Sequence, residues 1–319
     1  MLISPRKLAA AGILGMNSRN HDFIGRYNQR HLYPLVDNKL KTKRLAEKYG
    51  IATPKLRFVL HHQYEVKRTA RLLAQRESFV VKPAKGSGGK GILVIVGRNG
   101  DRFVKGSGVE VTLHDVERHM SNIIAGLHSL GGNPDSILIE DVVQCAPWLA
   151  AYSYEGVPDI RVIVFKGYPV LAMVRLATHA SDGKANLHQG AVGVGIDIAT
   201  GCALKAVQQS RRIQIHPDND IDLHALQIQD WTHLLEIAAG CAEMTGLGYL
   251  GADLVIDREH GPELLELNAR PGLAIQIANG IGLVPRLRHI EALDTVHQDA
   301  AARVAYVQKA FAADMALAG

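Results

Sequence analysis

Leu264-Leu265-Glu266-Leu267-Asn268-Ala269-Arg270-Pro271-Gly272 decides the reading of this chain, together with Gly251-Ala252-Asp253-Leu254-Val255-Ile256-Asp257 just before it. Successive strand side chains point to opposite faces, so alternation sets Leu265 and Leu267 on one face and Glu266 and Asn268 on the other. In the upstream run Ala252, Leu254 and Ile256 share a face, and Asp253 takes the opposite one. Arg258-Glu259-His260-Gly261-Pro262 has the composition of a turn, which makes the two runs a hairpin with Asp253 near Glu266. Like charges opposed across a strand pair repel, and burial raises the cost, so the pattern makes most sense with a cation between them. Two carboxylates and an amide carbonyl are hard oxygen ligands, suited to magnesium or manganese held partly by substrate phosphates. An acidic hairpin edge facing water accounts for the same pattern without a ligand.

Working back along the chain, Ser78-Phe79-Val80-Val81-Lys82-Pro83 and Ile92-Leu93-Val94-Ile95-Val96 flank the glycine-rich run Ala84-Lys85-Gly86-Ser87-Gly88-Gly89-Lys90-Gly91. Glycines let backbone approach a ligand closely, and successive N–H groups beside ammonium groups make a phosphate cradle. Gly86-x-Gly88-x-x-Gly91 satisfies the dinucleotide fingerprint formally. A strand rather than a helix follows it, however, so the helix-dipole mechanism of that fingerprint is absent. The P-loop spacing and the kinase motifs are also missing. What remains is a flap over ATP phosphates with Lys82 as a phosphate ligand, or a glycine hairpin without one.

Ile137 to Val143 reads as a buried strand running into Glu140 and Asp141, placed either to cap the strand or to meet an adenine edge and ribose hydroxyls. Asp159 to Phe165 and Tyr168 to Leu176 read as a hairpin about Lys166-Gly167. Arg161 stands there among apolar groups and needs an anionic partner, Asp159 or a ligand phosphate. Arg175 reads as solvated. Residues 177 to 195 read as a polar, glycine-rich loop containing Asn186-Leu187-His188-Gln189. Helices are expected over Asp37–Tyr49, Tyr64–Gln75, Asp115–Leu127 and Leu223–Thr245. In the third, Val116, Met120, Ile123 or Ile124, and Leu127 form the apolar face. A last helix carries a stripe of Val304, Val307, Phe311 and Met315. Lys41, Lys43 and Lys48 on the first helix read as solvated.

The length allows a composite domain or two domains, and no apolar run is long enough to span a bilayer. Arg6-Lys7 before Leu8–Met16 has the outline of a secretory signal, against which stand Gly12, Gly15 and the want of a cleavage site. Cys145, Cys202 and Cys241 are odd in number and widely spaced, as expected of free thiols in a reducing cytoplasm. Residues 1 to 57 hold twelve Lys or Arg against three acids, a charge of +9 that leaves −4 for the remainder. Such asymmetry fits an acidic substrate or nucleotide phosphates. Nucleic acid is the weaker reading, because no aromatic platform interleaves the basic residues. The histidines lack metal-binding spacing.

In order, Lys39, the Lys82 strand with its glycine loop, Ile137–Asp141, Asp159-Ile160-Arg161, Asn186-Leu187-His188, Asp253 and Glu266-Leu267-Asn268-Ala269-Arg270-Pro271-Gly272-Leu273 resemble an ATP-grasp ligase, and most closely the RimK-type alpha-L-glutamate ligases, over about residues 37 to 290. The resemblance implies an α+β fold of two mixed or antiparallel sheet subdomains sandwiching ATP. It divides the chain into a short basic helical segment (1–60), a central subdomain with the glycine-rich loop (61–142), a C-terminal catalytic subdomain (143–290) and a C-terminal helix (291–319). It further implies that Lys39 and Lys82 contact phosphates and that Lys85 and Gly86, Ser87, Gly88, Gly89 and Gly91 close over them. Glu140 and Asp141 would meet adenine and ribose, and Asp253, Glu266 and Asn268 would hold Mg2+. Arg161, Arg175 and Asn186, with Asn268, would serve the reacting phosphate end.

The activity so implied is ADP-forming amide synthesis through an acyl phosphate, with an amino acid such as glutamate as carboxylate donor and a peptide, protein or small amine as acceptor. Gln189 stands where RimK-type enzymes have Arg, Gly183-Lys184-Ala185 replaces a Phe-Arg-Ser-like stretch, and Arg270 replaces a small residue. These changes of charge imply a different donor or acceptor. The short N-terminal segment implies borrowed surface, as in a homo-oligomer. Two rivals remain at this level: an ATP-grasp phosphotransferase, and a nucleotide-binding or ribosome-associated module without catalysis.

Overall fold

The computed structural model describes residues 4–86 and 88–312. The chain divides into two compact units. The smaller comprises Asn38–Arg44 and Thr53–Gln144, and the larger comprises the residues up to Asp37, Leu45–Ala52 and the chain from Cys145 onward. Helix α1, Lys39–Lys48, has its first residues in the smaller unit and its last in the larger.

In the smaller unit β1 (Leu56–Leu60), β2 (Phe79–Pro83), β3 (Leu93–Asn99), β4 (Arg102–Lys105), β5 (Glu110–Val111) and β6 (Ile137–Glu140) form one sheet in the order β1-β6-β2-β3-β4-β5. Every pairing is antiparallel. Helices α2 (Glu65–Leu73) and α3 (Leu113–Ile124) bury Val66, Ala70, Leu73, Val116, Met120 and Ile123 against Phe79, Val81, Phe103 and Ile139. A capping box starts α3, where Thr112 and Asp115 each bond the other's backbone N–H. Leu127, expected on the apolar face, is instead 69% exposed. The helix stops at Ile124, and Gly126 follows at φ +86°, where a Cβ would lie 2.5 Å from the Asn133 carbonyl oxygen.

In the larger unit β7 (Asp159–Phe165), β8 (Tyr168–Leu176), β9 (Val192–Ile196), β10 (Ala203–Gln208), β11 (Arg211–Ile213), β12 (Tyr249–Asp257) and β13 (Gly261–Asn268) form a second antiparallel sheet in the order β11-β10-β9-β8-β7-β12-β13. Lys166 and Gly167 both take positive φ, 50° and 82°, as a two-residue hairpin matched to strand twist requires. Strand β9 begins at Val192, within the stretch read as loop, and its residues are buried.

Helix α4 runs from Trp231 to Thr245 and is shorter than the expected Leu223–Thr245. Leu223–Ala225 make only a 3-10 turn, Ile228 N donates to Gly201 O, and Asp230 is left-handed, so the helical ladder cannot form earlier. Helix α5 spans Val284–Glu291 and α6 spans Ala300–Phe311. Val304, Val307 and Phe311 of α6 are core residues, while Met315 lies outside the described residues.

Leu14, Phe23, Ile24 and Val36, from the chain before α1, contribute to this core. Phe23 and Tyr27 set ring edges on Phe165, with centroids 5.6 and 4.9 Å apart. Asn28 holds both backbone groups of Tyr249, at 2.8 and 2.6 Å, and the Ala269 carbonyl at 3.2 Å. The Tyr249 ring lies 6.4 Å from Phe165 as well, so Phe165 anchors three rings in a closed core, and Phe165→Ala is expected to destabilise the larger unit by about 3–5 kcal/mol. Urea unfolding followed by tryptophan fluorescence checks this, because Trp148 and Trp231 both lie in that unit.

Candidate functional site

In the larger unit β12 lies between β7 and β13, so Asp253 is flanked by Arg161 on one side and Glu266 on the other. The β12–β13 ladder slips by one residue there: Asp253 faces Glu266, yet Leu254 faces Leu264. Leu265 is the extra residue of this bulge. Leu264 and Leu267 are therefore the core residues, at 1% and 3% exposure, and Leu265 is only half-buried, contrary to simple alternation. Glu266 and Asn268 still share the Asp253 face. The Asn268 Nδ2 is 3.2 Å from Asp253 Oδ2 and 3.5 Å from Glu266 Oε1.

Asp253 is 1% exposed and its charge is met by two guanidinium groups. Arg161 donates Nε at 2.7 Å and Nη2 at 2.5 Å, and Arg175 Nη2 lies 3.0 Å away. Arg175 is also paired in a fork with Asp159, Nη2 to Oδ2 at 2.6 Å and Nε to Oδ1. Arg175 is thus not solvated: strand pairing sets Asp159 opposite it, and its side chain is 12% exposed. Arg161 takes Asp253, not Asp159, as its partner. Burial pushes the Asp253 carboxyl up, but Arg161 and Arg175 outweigh burial and hold it well below the usual carboxylate range. Burial raises Asp159, Arg175 opposes this, and the neighbouring Asp253 charge adds to the rise.

The donor set fits a divalent ion. An amide N–H of Asn268 points to where two carboxylates converge, and the other end of the same amide is a carbonyl oxygen. The two ends have nearly the same shape. Asp253, Glu266 and Asn268 are the residues that would hold the ion. No group of three or more His, Cys, Asp or Glu suited to a metal occurs among the described residues. An ion here would therefore depend on the amide oxygen and on ligand oxygens as well.

In the smaller unit Lys82 and Glu140 are diagonal neighbours on β2 and β6, with Lys82 Nζ 2.6 Å from Glu140 Oε2. Glu140 Oε1 is 3.0 Å from Lys43 Nζ. Lys43 is therefore buried, not solvated, and it also reaches Thr53 Oγ1 at 3.2 Å and the Pro54 carbonyl. No hydrophobic pattern flags a lysine on the inner face of a short helix. Lys39 Nζ donates to the Gly86 carbonyl at 2.7 Å, and Lys39 N donates to the Ala84 carbonyl at 2.8 Å.

The loop they hold takes left-handed backbone at Gly88, Gly89 and Gly91. Lys85 N donates to Asp135 Oδ2 at 2.8 Å, and Ser87 lies outside the described residues. Asp141 is engaged by Arg57 (Nε to Oδ1, 2.7 Å) and Arg76 (3.1 Å), and the Arg57 bond chiefly keeps its carboxyl below the usual range. Asn186, in the larger unit, caps the 3-10 turn Leu187–Gln189, with Oδ1 accepting from His188 N at 3.0 Å. Lys43, Arg57 and Arg76 are the polar residues here that pattern alone did not single out. Each is identified by its partner across the sheet or chain, a signal no local window contains.

Replacing Arg175 leaves Asp159 and Asp253 buried together with one guanidinium between them. Arg175→Met is expected to cost about 3–5 kcal/mol in chemical denaturation, and adding Asp159→Asn should recover part of that loss.

Among solved structures, the ATP-grasp ligase PsnB complexed with a minimal precursor resembles the chain with a TM-score of 0.46 at 13% identity, over 82% of this chain and 60% of that one. The D-cycloserine synthetase DcsG gives 0.46 at 15% identity, over 85% and 71%. An L-amino acid ligase from Bacillus licheniformis gives 0.46 at 15%, over 84% and 52%. The chain spans less than two thirds of the length of PsnB. No curated protein matches it in sequence. The family model for sugar-transfer associated ATP-grasp proteins matches residues 18–292. Its two antiparallel sheets with flanking helices are an ATP-grasp fold, and the chain belongs to the sugar-transfer associated ATP-grasp family.

Proposed function

We propose that the chain is an ATP- and magnesium-dependent carboxylate–amine ligase that releases ADP. The observation that carries this reading is the Asn268 amide between Asp253 and Glu266, 3.2 and 3.5 Å from their oxygens, beside two guanidinium groups. Carboxylates converge there on one point, and fixed positive charge stands next to it. That combination suits a metal-bound triphosphate more than it suits a structural ion pair. Bound magnesium would supply charge neutralisation for the phosphate oxygens.

The residues divide the work. Lys39, Lys82 and the backbone of Gly86 to Gly91 take phosphate oxygens, with Lys85 and Ser87 on the same loop. Asp141 stands by the nucleoside, and Glu140 pairs with Lys82. Arg161 and Arg175 compensate charge at the transferring phosphoryl group, and Asn186 orients the reacting end. An oxygen of the donor carboxylate attacks the γ-phosphorus and ADP leaves. The amine then attacks the acyl carbon, and phosphate leaves as the amide forms. Positioning and charge neutralisation suffice for both steps. Two of the three thiols are poor nucleophiles: burial pushes the Cys241 thiol up to about 12, and burial with the Asp257 charge pushes Cys145 to about 11.

The donor is a carboxylate such as that of an amino acid, glutamate among those to be screened. The acceptor is a peptide, a protein or a small amine. The family's association with sugar transfer adds amino sugars to the amines to be screened.

Incubation with ATP, magnesium and pooled amino acids and amines is expected to release ADP and phosphate and to yield an amide by mass spectrometry. Release of AMP, or a stable phosphate ester as product, overturns the reading. Glu266→Ala and Asn268→Ala are each expected to lower kcat by about a hundredfold or more, the scale on which loss of one charge-stabilising group acts. Chelation of the divalent ion should abolish turnover reversibly.

A further inference from the structure

Lys43, Glu140 and Lys82 come from three elements of the smaller unit, α1, β6 and β2. Their residues are 8%, 2% and 4% exposed. Lys82 and Glu140 lie on the sheet face opposite α2 and α3. Leu138, on that same face, packs with Leu40 of α1 and Ala84, whereas Val81 and Ile139 turn to the other core. One carboxylate is thus shared between two ammonium groups, Oε1 at 3.0 Å from Lys43 and Oε2 at 2.6 Å from Lys82.

We infer that Lys43 is a positioning residue for nucleotide binding: it remains with Glu140 as counter-ion so that Lys82 can turn to a phosphate. The inference rests on the proposed role of Lys82 as a phosphate ligand. A buried carboxylate that loses its sole partner is strongly disfavoured, so Lys82 alone with Glu140 would stay there. Lys43 removes that penalty, and it is fixed in place by the Thr53 hydroxyl and the Pro54 carbonyl. Glu140 then acts as an internal counter-ion. Its two oxygens lie within ion-pair distance of ammonium groups of the protein, although Oε1 accepts no hydrogen bond.

Calorimetric titration with the magnesium complex of a non-hydrolysable ATP analogue tests this on the full chain, with thermal denaturation run on each variant. Lys43→Met is expected to weaken binding by about tenfold or more, because Glu140 then holds Lys82 undivided. Lys43→Arg should keep binding near the wild-type level. Glu140→Gln should bind at least as tightly as wild type, and Lys43→Met with Glu140→Gln should regain the affinity lost in the single variant. A purely structural Lys43 would lower the melting temperature without this rescue.

Unchanged affinity in Lys43→Met, or lost affinity in Glu140→Gln, overturns the inference while leaving the ligase reading intact. Absence of binding by the wild-type chain sinks both. Should Lys43→Met fail to fold, Glu140→Gln alone decides, since a nucleoside contact predicts loss where an internal counter-ion does not.

Discussion

Burying charge is costly, and the arrangement of both sheets near their polar centres follows from how that cost is met. Asp253 sits at 1% exposure on the penultimate strand of a seven-stranded sheet, and the guanidinium groups from β7 and β8 make this tolerable. Those groups in turn need an order of strands that places β7 between β8 and β12, and a second carboxylate, Asp159, to steady Arg175. Positive and negative groups therefore alternate around one another, and moving any of them exposes the rest to a medium of low polarity. The same logic recurs in the smaller unit, where a single carboxylate serves two lysines.

These clusters look expensive for stability alone, since well-packed apolar side chains of similar volume commonly serve as well or better. Their persistence makes sense as preorganisation: dipoles and charges already aimed need little rearrangement when a charged ligand arrives. In the larger unit the N-terminal segment adds to this rigidity. Arg19 donates to the Pro271 carbonyl at 2.9 Å, and Asn28 holds Ala269, so the chain just beyond Asn268 is gripped from outside its own hairpin. Part of the basic excess of the first 57 residues is spent on such internal contacts, as with Arg19, Lys39 and Lys43, rather than displayed as a uniform surface.

Much of the fold was legible from local pattern. The β7–β8 and β12–β13 hairpins, the glycine loop between two strands, and helices α1 to α3 were all signalled by alternation, turn residues or apolar periodicity. Strands β4, β5, β10 and β11 were not, because they are short and their burial comes from neighbours distant in sequence. Residues meeting across the sheet were harder still. Arg175 and Lys43 carry the same local signature as solvated basic residues, and only the partner opposite each one distinguishes it. The facing of Asp253 and Glu266 was legible because one hairpin carries both, while the part played by Asp159 needed a third strand.

The bulge at Leu265 splits β13 into two segments of opposite phase. Upstream of it, even-numbered Leu264 faces inward. Downstream, odd-numbered Leu267 does so, which leaves Glu266 and Asn268 turned outward together. The surplus residue is the step between the two phases, set where the ladder passes from the Leu254–Leu264 pair to the Asp253–Glu266 pair. Without it the same pairs, Leu254 with Leu264 and Asp253 with Glu266, would follow one another in a regular ladder, so its loss would remove the local kink and leave the polar pair on its face. Related chains should therefore vary at this position in side chain and in residue number alike, provided the pairing on either side of it is kept.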